Sequence, residues 1–240
     1  MQKSKIEWTD YSWNPIKGIC PVGCWYCYGR RMYQRFKLDP KPWLDIAELN
    51  QVAETRLTGK RIFVCSTFEL FHPIVDGLMG RCIENEKKWQ GKARDLIFNV
   101  IERRPDLTFI ILTKMPERID RPMPDNVWLG VSLTGENSRE YDRIPALAKT
   151  AALTKFVSFE PLFRGFDVWE LFDEFIPDWI IVGRLTGYGT QRDTPRRAIR
   201  DIIDYAVEEN IRIFLKNNLK EIWGKPLIQE SPSVKVSDAD

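Results

Sequence analysis

Short apolar runs alternate with longer amphipathic stretches along most of this chain. The runs Arg61–Cys65, Thr108–Thr113, Val127–Ser132, Lys155–Phe159, Trp179–Val182 and Arg212–Lys216 are brief, β-branched or aromatic, and nearly continuous in apolar character. Parallel strands covered by helices read this way. A first strand is expected at Ile16–Ile19. Helices are expected at Tyr28–Phe36, Ala93–Arg103, Arg139–Lys149, Val168–Phe175 and Pro195–Glu208. In the second of these, Leu96, Ile97, Val100 and Ile101 would face inward, and Arg94, Asp95, Asn99, Glu102 and Arg103 would face solvent. Strand–helix alternation predicts a parallel α/β fold. Polar residues recur at the strand ends and no G-x-G-x-x-G turn occurs. That favours a partial, TIM-like (β/α) barrel of about six or seven strands over a doubly wound sheet. Residues 1–223 read as a single domain of this kind. The segment 224–240 is polar with little periodicity and is expected to be a loose C-terminal tail.

In such barrels the site residues sit where strands end and loops begin. Cys65, Ser66, Thr67 and Glu69 follow one expected strand, and Thr113 and Lys114 follow the next. Ser132 and Thr134, then Glu160 and Pro161, then Gly183 and Arg184, then Lys216, Asn217 and Asn218 close the others. Any one of these reads equally well as a helix cap or a surface polar residue. Their recurrence at successive strand ends points to a site at the barrel mouth.

Composition narrows the class. At 240 residues the chain can bury one large core, and 43% hydrophobic with 29% charged residues is globular rather than disordered. With a formal net charge of only +2, bulk charge does not announce a nucleic-acid binder. No apolar run approaches membrane-spanning length. Basic residues do cluster locally, at Arg30, Arg31, Arg35 and Lys37 and again at Arg184, Arg192, Arg196, Arg197 and Arg200. If both clusters edge the mouth, a phosphate-bearing substrate such as a nucleic acid fits them. The alternative is a solvated helix face balanced by Asp193, Asp201 and Asp204.

The sharpest chemistry lies in Cys20-Pro-Val-Gly-Cys24-Trp-Tyr-Cys27, spaced C-x3-C-x2-C. Thiolates this close can wrap one face of an iron–sulfur cube and leave its fourth iron open to a small molecule. A zinc site could use the same thiolates with His72 or Cys65 as fourth ligand, although structural zinc ligands usually come as two separated pairs. Cysteines number five, which is odd, and no secretory leader is expected. A disulfide framework is therefore disfavoured, and a cytoplasmic protein with reduced thiols is expected.

Cysteines at this spacing, with the aromatic Tyr26 just before the third, resemble the radical S-adenosylmethionine (SAM) superfamily. The resemblance implies a partial barrel of the radical SAM type, a [4Fe-4S] cluster on Cys20, Cys24 and Cys27, SAM chelated at the open iron, and a low-potential electron donor. One electron would cleave SAM to methionine and a 5′-deoxyadenosyl radical, which would abstract hydrogen from a substrate of unknown identity.

The segments Lys5–Asp10, Trp13-Asn-Pro15, Cys24–Tyr28, Phe68–Pro73, Leu112–Arg118, Val127–Ser132, Ser158–Leu162 and Asp178–Gly183 occur in this order. Together they look like a family of short radical SAM-like proteins found in phages and in bacterial and archaeal genomes. The likeness spans nearly the whole chain and bears on cofactor and fold more than on substrate. Two places depart from that family. After the sixth strand it typically has Gly-Gly-Glu-Ser-Gly where this chain has Gly183-Arg-Leu-Thr-Gly187, so that acid's role does not carry over. At the second strand end it commonly has Asn or Gly before Ser, where this chain has Cys65-Ser66.

A more distant likeness, by strand position alone, is to spore photoproduct lyase. It implies that Ser66, Lys114 and Ser132 help hold the methionine moiety of SAM, and that Cys65 returns a hydrogen atom to a substrate radical. The residue chemistry agrees with such roles. Lys114 suits a carboxylate, and Ser66 and Thr67 offer hydroxyls. Glu69 or Glu160 suits the SAM amino group or the ribose hydroxyls, Tyr26 suits the adenine, and Ser132 and Thr134 suit ribose or carboxylate contacts. Arg184, Lys216 and Asn217 suit substrate. Two alternatives stand beside the enzyme: a non-catalytic SAM- or nucleic-acid-binding protein of phage type that keeps the fold, and a zinc protein using the same cysteines.

Overall fold

The computed structural model of the chain describes residues 1–81, 90–187 and 194–233. It is an α/β structure in which most strand pairs are parallel. The backbone groups into two compact units, Met1–Ile111 and Leu112–Asp240.

The first unit runs β1 (Gln2–Lys3), β2 (Tyr11–Trp13), β3 (Ile16–Lys17), α1 (Tyr28–Phe36), β4 (Trp43–Leu44), α2 (Ile46–Ala53), β5 (Arg61–Val64), α3 (Pro73–Asp76), β6 (Met79–Arg81), β7 (Gln90–Lys92), α4 (Ala93–Glu102) and β8 (Thr108–Thr113), whose last two residues open the second unit. β5 lies parallel between β2 and β8, and β1 pairs antiparallel with β2. The strand beside β5 is therefore Tyr11–Trp13, not the expected Ile16–Ile19. Pro15 has no N–H to continue the ladder, and Ile16–Lys17 instead pairs antiparallel with Trp43–Leu44.

Trp13 is fully buried, its ring 5.9 Å from Phe109 and its indole N–H donating to the Glu48 carbonyl of α2 at 2.9 Å. Helix α2 was absent from the sequence expectation. Its signal is the Asp45-x-x-Glu48 spacing: the Asp45 carboxylate accepts the Glu48 N–H at 3.2 Å and caps the helix. On α4, Leu96, Ile97, Val100 and Ile101 are buried as expected. Arg94 is not on the solvent face. It is buried against α3, with its guanidinium 2.6 Å from Asp76 and stacked 5.5 Å over the Phe71 ring.

The second unit runs β9 (Val127–Leu133), α5 (Arg143–Ala148), β10 (Thr154–Phe159), α6 (Val168–Leu171), β11 (Trp179–Val182), α7 (Arg196–Glu208), β12 (Arg212–Leu215) and α8 (Lys220–Trp223). Its strands are parallel in chain order, with Phe156 level with Gly130 on one side and Trp179 on the other. A Cβ on Gly130 would come 2.4 Å from the Phe156 ring, so the ring lies directly on that backbone. Trp179 packs against Trp128, Phe156 and Phe214 and completes an aromatic layer on this face. Helices α5 and α6 are shorter than expected: Ser138–Glu140 forms a separate 3-10 turn before α5, and the chain leaves α6 well before Ile176-Pro177.

The stretch after Trp223 is not loose throughout. Gly224, at φ +66, closes α8, and Ile228–Glu230 then lies beside β12. The Leu215 N–H donates to the Ile228 carbonyl at 2.7 Å and the Glu230 N–H to the Ile213 carbonyl at 2.9 Å. The Trp179 indole N–H donates to the Glu230 carbonyl at 2.8 Å. Backbone pairing of this kind needs no side-chain periodicity. Residues 234–240, Cys82, Arg192 and Asp193 lie outside the described residues. Among the described residues no helix is long and apolar enough to cross a membrane.

One buried cation ties the first unit together. The Arg104 guanidinium donates to the carbonyls of Val52 (2.6 Å), Thr55 (3.1 Å) and Leu57 (2.6 Å), and to both carboxylate oxygens of Asp106 (2.8 and 2.6 Å). Its hydrogen bonds hold the Asp106 carboxyl below the usual carboxylate range, so the ionic part is present at neutral pH and is lost as pH falls. Asp106 is exposed, and the carbonyls, buried at Val52 and partly buried at Thr55 and Leu57, carry the larger share. Arg104→Ala should destabilise the fold by about 2–4 kcal/mol, because it strands carbonyls that water reaches poorly. Urea unfolding checks this. A loss below about 1 kcal/mol would show that the carbonyls rehydrate freely.

Candidate functional site

Cys20, Cys24 and Cys27 stand on the loop between β3 and α1, all half-buried and free of disulfides. Gly23, at φ +77, lets the loop turn back on itself. Cys27 occupies the N-cap position of α1, and its N–H donates to the Cys24 carbonyl at 3.2 Å. The loop is well anchored. Arg30 donates to the Cys20 carbonyl at 3.3 Å, the Gly18 N–H to the Tyr33 hydroxyl at 2.7 Å, and the Ile19 N–H to the Pro40 carbonyl at 2.9 Å. Burial pushes the Cys20 thiol up to about 11, against the pull of backbone hydrogen bonds from Val22 and Glu69.

Three unbridged thiols on one loop are the donor set that three irons of a cube require. Among the described residues no three His, Cys, Asp or Glu side chains converge as ligands of one ion. His72, the alternative fourth zinc ligand, caps α3: its Nδ1 accepts the Ile74 N–H at 3.2 Å.

The end of β5 meets this loop. Cys65 leaves the strand in the left-handed region at φ +53, with its thiol buried and pushed well above the ordinary range by that burial. The turn aims Ser66 and Thr67 at Asn14, just past the end of β2. Asn14 Oδ1 accepts from the Ser66 hydroxyl (3.1 Å), the Thr67 N–H (3.3 Å) and the Thr67 hydroxyl (3.4 Å). The Tyr28 hydroxyl donates to the Ser66 carbonyl at 3.2 Å, tying the turn to α1. A Cβ on Gly29 would lie 3.5 Å from Thr67 Cβ and 3.6 Å from Cys27 Sγ. Thr67 and Cys27 thus both border Gly29. Glu69 is buried nearby, where its Oε1 accepts the Phe71 N–H at 3.1 Å. Tyr26 is half-buried and edge-on to Trp25 at 5.4 Å. Sequence reasoning gave Asn14 no role. Its signal is an Asn-Pro pair at a strand end, where a short amide can bond neighbouring backbone.

Register sorts the polar residues of the second unit. Ser132 and Ser158 face each other across β9 and β10. Lys114 donates to the Ser132 hydroxyl at 2.7 Å, which joins two of the expected residues. Glu160 and Lys216 form an ion pair across Gly183, where a Cβ would press to 2.9 Å from Lys216 Cδ and 3.2 Å from Glu160 Cγ. Thr134 is fully buried and its hydroxyl is spent on Glu140 at 2.8 Å. The Glu140 carboxylate also accepts the N–H groups of Thr134 and Gly135 at 2.6 and 2.7 Å, which anchors the loop after β9. Ser158, to which sequence reasoning gave no role, is wholly buried with no hydrogen-bond partner for its hydroxyl among the described residues.

Arg184 and Asn217 line a cavity of about 440 Å³ together with Thr186, Asn218, Lys220 and Glu221. The Asn218 amide clamps the Arg184 backbone from both sides, at 3.2 and 3.0 Å, and Glu221 lies 3.6 Å from the guanidinium. On α7 the basic run is partly balanced, with Arg197 3.8 Å from Asp201.

The chain belongs to the family described as protein of unknown function, DUF5131, which matches residues 3–231. No curated protein and no solved structure matches it.

A buried hydroxyl without a partner costs stability. Ser158→Ala should therefore raise stability by about 1 kcal/mol in chemical denaturation. A less stable Ser158→Ala chain would show that the hydroxyl has a partner in solution.

Proposed function

We propose that this DUF5131 chain is a radical SAM enzyme whose cluster is held by Cys20, Cys24 and Cys27. The supporting observation is the loop itself: three free, half-buried thiols, anchored by Arg30, Tyr33 and Pro40, with Thr67 and Cys27 both bordering Gly29. A four-iron cluster bound there would supply one electron to SAM and so a 5′-deoxyadenosyl radical. The partial-barrel architecture belongs to this proposal.

The residues around the loop have definite tasks under this reading. Backbone N–H groups of Val22 and Glu69 reach the Cys20 sulfur and would stabilise its thiolate once iron replaces the proton. Asn14 holds Ser66 and Thr67 so that their hydroxyls flank the cysteine loop. In the second unit, Lys114 and Ser132 form an ammonium–hydroxyl pair of the kind that suits an amino-acid carboxylate. Thr134 is left out of cofactor binding because Glu140 takes its hydroxyl. Cys65 stays an S–H group at neutral pH. It would transfer that hydrogen to a carbon radical, leaving a thiyl radical that one electron from the low-potential donor and one proton return to the thiol.

Anaerobically prepared protein should carry about four irons and four sulfides per chain. Replacing Cys20, Cys24 and Cys27 together by Ala should abolish them, and Cys65→Ala should not. One equivalent of zinc without visible absorbance would establish the zinc alternative instead.

With a strong reductant and SAM, the loaded protein should release 5′-deoxyadenosine, and Ser66→Ala should weaken SAM binding by roughly tenfold without loss of iron. SAM binding with no deoxyadenosine would favour the non-catalytic reading.

A further inference from the structure

The segment from Trp25 to Trp43 wraps the cysteine loop and presents an unusual surface. Trp43 sits opposite Lys17 in the β3–β4 pair, and Pro40 accepts the Ile19 N–H, so the far end of the segment returns beside the loop it started from. Four large aromatics along it are exposed: Trp25 (42%), Tyr28 (56%), Phe36 (61%) and Trp43 (47%). Among them stand Arg30, Arg31, Arg35, Lys37 and Lys41, against Asp39 as the segment's acidic residue. Tyr28, Arg31 and Arg35 fall three and four positions apart and share one face of α1. The Arg35 guanidinium lies 5.5 Å from the Phe36 ring.

We propose that this surface binds single-stranded nucleic acid. It rests on the radical SAM reading only in making that strand the substrate. Exposed aromatic rings stack on unpaired bases, and interleaved cations follow the phosphates. That combination is what sequence-tolerant single-strand binding uses. A protein partner fits less well, because five cations against one carboxylate match a polyanion. The locally basic balance also stands out in a chain whose net charge is only +2.

The test measures anisotropy of a labelled oligothymidylate and of a duplex of equal length, with the full anaerobically prepared chain, across a salt series. The single strand should bind tighter than the duplex. Trp43→Ala and Phe36→Ala should each weaken it about tenfold with the salt slope unchanged. Trp43→Phe, which keeps a stacking face, should recover most of the loss. The triple change Arg31→Ala, Arg35→Ala, Lys37→Ala should lower the log–log salt slope by about two. Thermal melting and iron content are recorded for every variant. No binding, a preference for duplex, or full affinity in both aromatic variants would overturn the proposal and turn attention to a protein partner. A chain that binds the oligonucleotide but takes up no cluster would overturn the radical SAM reading and leave this one standing; a loaded chain that ignores it would do the reverse.

Discussion

The last rung of the β2–β5 ladder, from the Cys65 N–H to the Trp13 carbonyl at 2.8 Å, sets the geometry on which the first unit's candidate site depends. Past this rung both strands stop pairing. Pro15 has no N–H to offer, and Cys65 turns into the left-handed region. Asn14 and the Ser66–Thr67 turn are then side by side with unpaired polar groups, and one carboxamide oxygen satisfies three of them. The ladder thus delivers a fixed cluster of hydroxyls to the flank of the cysteine loop, where loose side chains would otherwise be solvated in many orientations.

The left-handed turn at Cys65 also accounts for a feature of the sequence. Positive φ is cheapest for Gly and Asn. Cysteine has a Cβ that opposes the conformation. A buried thiol in such a turn, next to Cys20 and Glu69, is a poorer choice for stability alone than Gly or Asn. Ser158 shows the same pattern in the second unit: a hydroxyl with no partner sits on the face that carries the Lys114–Ser132 and Glu160–Lys216 pairs. Residues that are locally unfavourable and occur beside convergent polar groups are the ones a packing account leaves unexplained.

The aromatic-rich surface of α1 and the cysteine loop share one backbone. Tyr33 and Arg30 of the helix hold the loop, while Tyr28, Arg31 and Arg35 point outward from the same turns. Under the proposed function, a ligand that stacked on that face would press on the element that orients the cysteines.

The sequence by itself determined the α/β class, most strand positions, the close extent of α1 and α4, and the cysteine triplet, because these depend on local periodicity and on spacing within a few residues. It misplaced the first strand, since a three-residue strand ended by proline has too few positions to show a period. It passed over α2, whose stability comes from the Asp45 cap and the Trp13 contact more than from its own pattern. Only the tertiary structure decided that Arg94 is buried, that Ile228–Glu230 joins β12, that Glu140 takes the Thr134 hydroxyl, and that Asn14 gathers Ser66 and Thr67. Each of these is a hydrogen bond or ion pair whose partner lies on another element. Register and loop path choose such partners, and neither is written in the neighbourhood of the residue concerned.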